Sequence, residues 1–236
     1  MTALSRLARI TGVLVAALVA TLAVTAGLLV ATAPAPPALP DDVAVTVPAS
    51  PVAQPELRAE LLRRFQLDQA VREGSSAAIS DLQSVRGLWR FAQTAVRMER
   101  TDGPNRRRVA DLVAANGWPT AADIGPDGLE ALFYLVQHAT PDLQRAALEP
   151  FRAAWRDGAL DGALVAMLTD RIRVGENRPQ LYGTQFGATP GHPMALQPIE
   201  DVARVDARRA TMGLPPLAEY LDQICAEADL CVERPS

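Results

Sequence analysis

Three polar groupings, set in a chain whose pattern is otherwise apolar and helical, carry the side chains able to do chemistry. Gln137 and His138 end the most apolar predicted helix. A histidine there titrates near neutral pH and can act as a general base or metal ligand, or it can simply donate a ring N–H to a helix-end carbonyl. Thr169, Asp170 and Arg171 form the second grouping. Asp170 can orient a histidine and Arg171 can bind a carboxylate or phosphate, unless the two are spent on an internal salt bridge. The third is the string Arg178, Pro179, Gln180, Leu181, Tyr182, Gly183, Thr184, Gln185, Phe186. In an extended strand Gln180, Tyr182 and Thr184 would share one face, with Leu181, Gly183 and Gln185 on the other. Such a face offers three hydrogen-bonding groups to a ligand, or to solvent and neighbouring helix ends.

The candidate acid–base residues are therefore His138 and Asp170. The candidate ligand contacts are Gln137, Arg171, Gln180, Tyr182, Thr184 and Gln185. No Gly-x-Ser-x-Gly, phosphate loop or His-Glu-x-x-His occurs, so the reaction class stays open and no cofactor is indicated. With two cysteines, two histidines and no Cys-x-x-Cys or His-x-x-x-His spacing, the chain lacks the usual structural zinc ligands, and no metal is assigned.

The elements that must position these groups are mainly helical. Leu57, Leu61, Leu62, Phe65 and Val71 recur at helical spacing after Pro55. Ile79, Leu82, Val85, Trp89, Ala92 and Val96 trace a second stripe, expected to break at Asp102, Gly103 and Pro104 before a third helix from Asn105 to Asn116. A strongly apolar helix over Leu129 to Ala139 belongs at the centre of the core. Next comes a helix started by Thr140 and Pro141, which Pro150 should kink or split, then one over Leu160 to Val174. Residues 180–199 read as a small hairpin or ordered loop, and helices over Ile199–Met212 and Leu217–Glu227 close the chain. The expected fold is one helical domain of about seven helices at 56–236.

Ahead of it lies an apolar run. No charge occurs between Arg9 and Asp41, and Ile10–Ala33 would make a helix of roughly 36 Å, enough to span a hydrocarbon core of roughly 30 Å. Arg6 and Arg9 before the run, with Asp41 and Asp42 after it, keep residues 1–9 cytoplasmic and send the rest outward. The expected layout is a transmembrane anchor at 10–33 and a Pro-rich linker at 34–55, whose seven prolines favour an extended spacer. The competing expectation is a signal peptide cleaved near Ala26, leaving a secreted or periplasmic protein. Outside the cytoplasm Cys225 and Cys231 can pair, provided the helix ends between them. The net charge of -4 argues against a nucleic-acid or anionic-lipid partner, since neither would find a large positive field. All 23 basic residues are arginine, so no lysine is available as general base or Schiff-base former.

Several phrases together resemble a bacterial family catalogued only as a domain of unknown function. They are Gly117-Trp118-Pro119, Leu135 to Ala139, Leu168 to Arg171, Gln180 to Phe186, Pro198 to Asp201 and Gly213 to Leu217, with Asp68, Gln69 and Arg72. The resemblance spans about Phe65 to Leu221 and implies one shared design, without naming an activity. Two departures stand out. The resembled family continues after His138 with acidic and histidine-rich residues where this chain has Thr140 and Pro141, and Gly74 to Arg100 is unlike it.

Three functions remain in competition at this stage. The domain binds a small polar ligand or peptide, or it is an enzyme with His138 as acid and base, or it is a structural or protein-interaction module.

Overall fold

The computed structural model describes residue 25 and residues 27–35, 38–39, 51–73, 84–189 and 192–228. The chain is mainly helical with one small antiparallel sheet, as its patterning predicts. From Pro55 onward the described α-helices are α1 (Pro55–Arg72), α2 (Val85–Asn116), α3 (Ala121–Gln137), α4 (Pro141–Arg156), α5 (Gly162–Gly175), α6 (Val205–Thr211) and α7 (Leu217–Ala228). Strands β1 (Phe186–Thr189) and β2 (His192–Leu196) pair between α5 and α6, with Phe186 opposite Leu196 and Gly187 opposite Ala195. Of the expected anchor, residues 10–24 and 26 lie outside the described residues, as do residues 36–37 and 40–50 of the linker, residues 74–83 of the second stripe, and Cys231. Residues 27–32 are helical, and among the described residues no helix is long and apolar enough to cross a membrane.

The chain divides into two compact units. The first comprises Met1–Pro40 and Gln66–Pro104. In it Leu67 and Val71 are buried, and Arg72 reaches Asp68 at 2.8 Å and both oxygens of Asp102 at 2.9 and 3.0 Å. Asp68 is wholly buried and also accepts from Gln69. A buried carboxylate must be paired and hydrogen-bonded to persist, and these contacts supply both.

The second unit comprises Asp41–Phe65 and Asn105–Ser236. Its core is centred on α3, whose Leu129, Leu132, Phe133 and Val136 are all buried, because the apolar residues run round most of the helix. Phe133 packs on Phe151 of α4 at 5.8 Å between centroids, Trp118 meets Phe151 edge-on at 5.9 Å, and Phe65 stacks on Tyr134 at 4.9 Å. The helix begins with a bend at Gly125, whose φ of 75° only glycine adopts readily, so Pro126 can start the straight portion. Arg58 of α1, itself buried, pairs with Asp127 beside this bend. At the far end Gln144 of α4 donates to the carbonyls of Gln137 and Ala139 at 3.0 and 3.2 Å, capping acceptors that the helix cannot use. A smaller core of Val205, Leu217 and Leu221 lies under Phe186, Leu196 and Ile199.

Four boundaries differ from expectation, the first being the central helix, which starts at Ala121 rather than Leu129. The break at Asp102–Pro104 does not occur, and Pro104 sits inside α2. Likewise α4 runs through Pro150. One interior proline removes a single N–H donor and crowds one carbonyl. In α4 that loss is outweighed by an amphipathic face burying Ala147 and Phe151 on either side, and in α2 the flanking residues are held by Arg72 at Asp102 and by Arg64, which donates to Asn105 at 3.1 Å. Finally, the helix expected from Ile199 starts only at Val202, as a short 3-10 turn. Ile199 is instead bridged to Gln180, and Asp201 takes a left-handed φ of 47°.

Glu60 ties α1 to the second half of α2. It accepts from Arg108 at 2.8 and 2.7 Å and from Arg64 at 2.8 Å, and the Arg108 contacts lead the fall of its pKa from 4.5 to about 2, against the opposing effect of burial. A depressed folded-state value means that this stabilisation is complete above pH 4.5 and is lost as pH falls towards 2. Urea unfolding as a function of pH should therefore show Glu60→Gln less stable than the native chain at pH 7, with the gap closing through that window.

Candidate functional site

The site grows from the C-terminal half of α5. Asp161 caps that helix by accepting from the Ala163 N–H at 2.8 Å, and the helix carries Asp170 into the interior with no exposed surface. Both Asp170 oxygens are spent on the chain that follows. Oδ1 accepts from the N–H groups of Leu181 and Tyr182 at 2.6 and 3.1 Å. Oδ2 accepts from the Tyr182 N–H, the Thr184 N–H and the Thr184 hydroxyl at 3.0–3.1 Å. Burial pushes Asp170 above the ordinary carboxylate value, and the Leu181, Thr184 and Tyr182 bonds pull it back. The expected strand face of Gln180, Tyr182 and Thr184 is therefore absent. A single carboxylate draws in the amides of 181, 182 and 184, and this can happen only if the backbone turns. Gly183 makes the turn at φ 73°, and a Cβ there would lie 2.8 Å from Leu217 Cδ1.

Gln180 holds the other side of the turn. It is fully buried, its Nε2 donates to the carbonyls of Gln185 and Gln197 at 3.1 and 2.7 Å, and its Oε1 accepts from the Gln185 N–H at 2.8 Å. The side chain thus does the work of a strand at the base of the β1–β2 hairpin, and both of its amide protons are committed. From α6, Arg208 donates to the Leu181 carbonyl at 2.7 Å. Arg209 donates to the carbonyls of Tyr182 and Pro215 at 2.5 and 2.6 Å and lies 4.7 Å from the Tyr220 ring centroid. These arginines escaped the sequence reading. The available signal was position: Val205, Arg209 and Met212 fall at i, i+4 and i+7, which puts Arg209 on the buried face.

The first polar grouping meets the third through α5. Gln137 Nε2 lies 3.1 Å from Met167 Sδ, and the Met167 carbonyl accepts from Gln185 Nε2 at 3.4 Å. Gln185 Nε2 also lies 3.2 Å from the Thr184 hydroxyl. Gln137 is buried, yet among the described residues its Oε1 has no hydrogen-bond partner. His138 caps α3, its backbone N–H donating to the Val136 carbonyl, and its ring is half-buried. Tyr182 is half-buried against the main core, and burial pushes its phenol up, which keeps it a neutral donor. Arg171 is half-buried on α5, turned away from Asp170 by the helical step of one residue. Gln137 thus touches the Met167 side chain and Gln185 the Met167 carbonyl, while Asp170 gathers the 181–184 backbone and Gln180 the backbone of 185 and 197.

Fold and site define a helical domain whose 181–184 loop is pinned to a buried carboxylate. The chain belongs to the Family of unknown function (DUF6624), which matches residues 55–232. No curated protein and no solved structure matches it.

Two substitutions test the turn. Asp170→Asn keeps the size but sets an N–H2 group against N–H donors, and should cost about 3 kcal/mol in urea unfolding. Gly183→Ala, strained at positive φ and crowded by Leu217, should cost about 2 kcal/mol or more by the same measurement.

Proposed function

We propose that this chain is a membrane-tethered binding domain, with residues 10–33 as the anchor and 34–55 as a spacer holding the family domain outside the cytoplasm, where Cys225 and Cys231 pair. Its ligand is a small polar molecule or peptide carrying a hydrogen-bond donor, bound at the Gln137 end of α3. The observation that carries this reading is the buried Gln137 Oε1 without a partner, beside an Nε2 whose one contact is a weakly accepting thioether. An amide left so costs on the order of 1–3 kcal/mol, which a bound donor recovers. Gln185, Thr184 and His138, all half-buried nearby in sequence or space, supply further polar contacts.

The enzyme reading draws less support. It requires Asp170 to orient His138, and both Asp170 oxygens already accept from residues 181–184. Cleavage near Ala26 would leave the binding reading intact and change only where the protein resides.

Thermal-shift screening of the full chain against primary amides, amino acids and short peptides tests the site. A ligand at a hundredfold its Kd should stabilise the native chain by about 2.7 kcal/mol. Gln137→Leu should abolish that shift while leaving the unliganded midpoint equal or higher, because it deletes an unsatisfied polar atom. A lower unliganded midpoint with the ligand shift preserved would assign Gln137 a packing role alone.

A further inference from the structure

We propose that the N-terminal half of α2 lies along the surface of an anionic bilayer, next to the point where the anchor emerges; this rests on the anchor reading above. Leu88 and Phe91 are 52% and 42% exposed, and Ala95 is exposed as well. At i, i+3 and i+7 they form one face of the helix. Large apolar side chains exposed together on a helix mark a contact surface rather than an accident of composition. On the opposite side Arg86, Arg90 and Arg97 fall within roughly 40° of one another, given 3.6 residues per turn. Trp89 is half-buried between the two faces, and Glu99 is the one acidic residue from 85 to 100. An apolar strip bearing Leu and Phe, a flanking Trp and an arginine face form the pattern of a helix lying in a membrane interface.

Position within the first unit selects lipid as the occupant. Arg100 donates to the carbonyls of Ala33 and Val30 at 2.9 and 2.5 Å, and Gln93 to the carbonyl of Thr32 at 3.3 Å. These carbonyls belong to the last turn of the apolar run. The same helix that exposes Leu88 and Phe91 is thus fastened to the chain where it leaves the bilayer, and Leu28 and Val30 there are exposed too, at 54% and 50%. The chain as a whole carries a net charge of -4, so the arginine excess of this helix is local, forming the polar face of an amphipathic helix whose attraction to anionic lipid adds to the burial of its apolar strip.

Hydroxyl-radical footprinting of the full chain, reconstituted in vesicles of phosphatidylcholine alone or mixed equally with phosphatidylglycerol, reads the side chains directly. Phe91 labelling should fall by about fivefold or more in the mixed vesicles, on the scale of interfacial burial. Leu88→Gln with Ala95→Gln should restore it, while the chain stays with the vesicles through a carbonate wash. Equal labelling in both vesicles, with the chain retained, overturns the surface contact and leaves the anchor standing. Loss of the chain in the wash overturns the anchor reading and the proposal together. Protection that rises with the ratio of protein to lipid assigns the face to a second copy and overturns the proposal.

Discussion

One buried carboxylate organises the part of this domain that follows α5. Asp170 accepts from three backbone N–H groups and a hydroxyl within four consecutive residues, a convergence that an extended strand, with its N–H groups alternating in direction, cannot offer. The turn at 181–184 therefore exists because a helix delivers a carboxylate to it. Everything that follows takes its place from that turn: Gln180 closes the hairpin base, α6 clamps the outward carbonyls, and Gln185 is brought to Met167.

Donors and acceptors of the turn are satisfied from opposite sides. Its N–H groups face an anion on α5, and its carbonyls at Leu181 and Tyr182 face the guanidinium groups of Arg208 and Arg209 on α6. A loop otherwise belongs at the surface, where water serves its backbone. Here charged side chains replace water, which lets the segment be half-buried against the core. Arg209 bears the strain of this arrangement. Burial pulls its pKa down, its Nη2 has no partner, and the Tyr220 ring beside it offers partial compensation.

Most of the helices were legible in the sequence, because apolar spacing and terminal signals act locally. The apolar run of α3, the Thr140-Pro141 start of α4 and the closing helix at Leu217 all stand where their periodicity puts them. Prolines misled, since Pro104 and Pro150 sit inside helices whose neighbouring contacts outweigh one lost donor. The string 180–186 misled for a different reason. Alternating polarity reports a strand only when the backbone pairs with a strand, and here its partners are the side chains of Asp170 and Gln180, contributed from positions the alternation does not encode. Among the residues picked out as chemical, Asp170 and Gln180 hold backbone groups of the 181–185 segment rather than presenting free side chains. Asp170 and Gln180 build the site, whereas Gln137, chosen for its neighbour His138, holds the unspent acceptor.

That three amides share one acceptor group has a kinetic meaning. The N–H groups of Leu181, Tyr182 and Thr184 cannot be released one at a time without leaving the others on a carboxylate that has lost part of its solvation. They must exchange with solvent as a set, at the rate at which Asp170 itself lets go. The loop is accordingly a single cooperative opening unit within a larger fold.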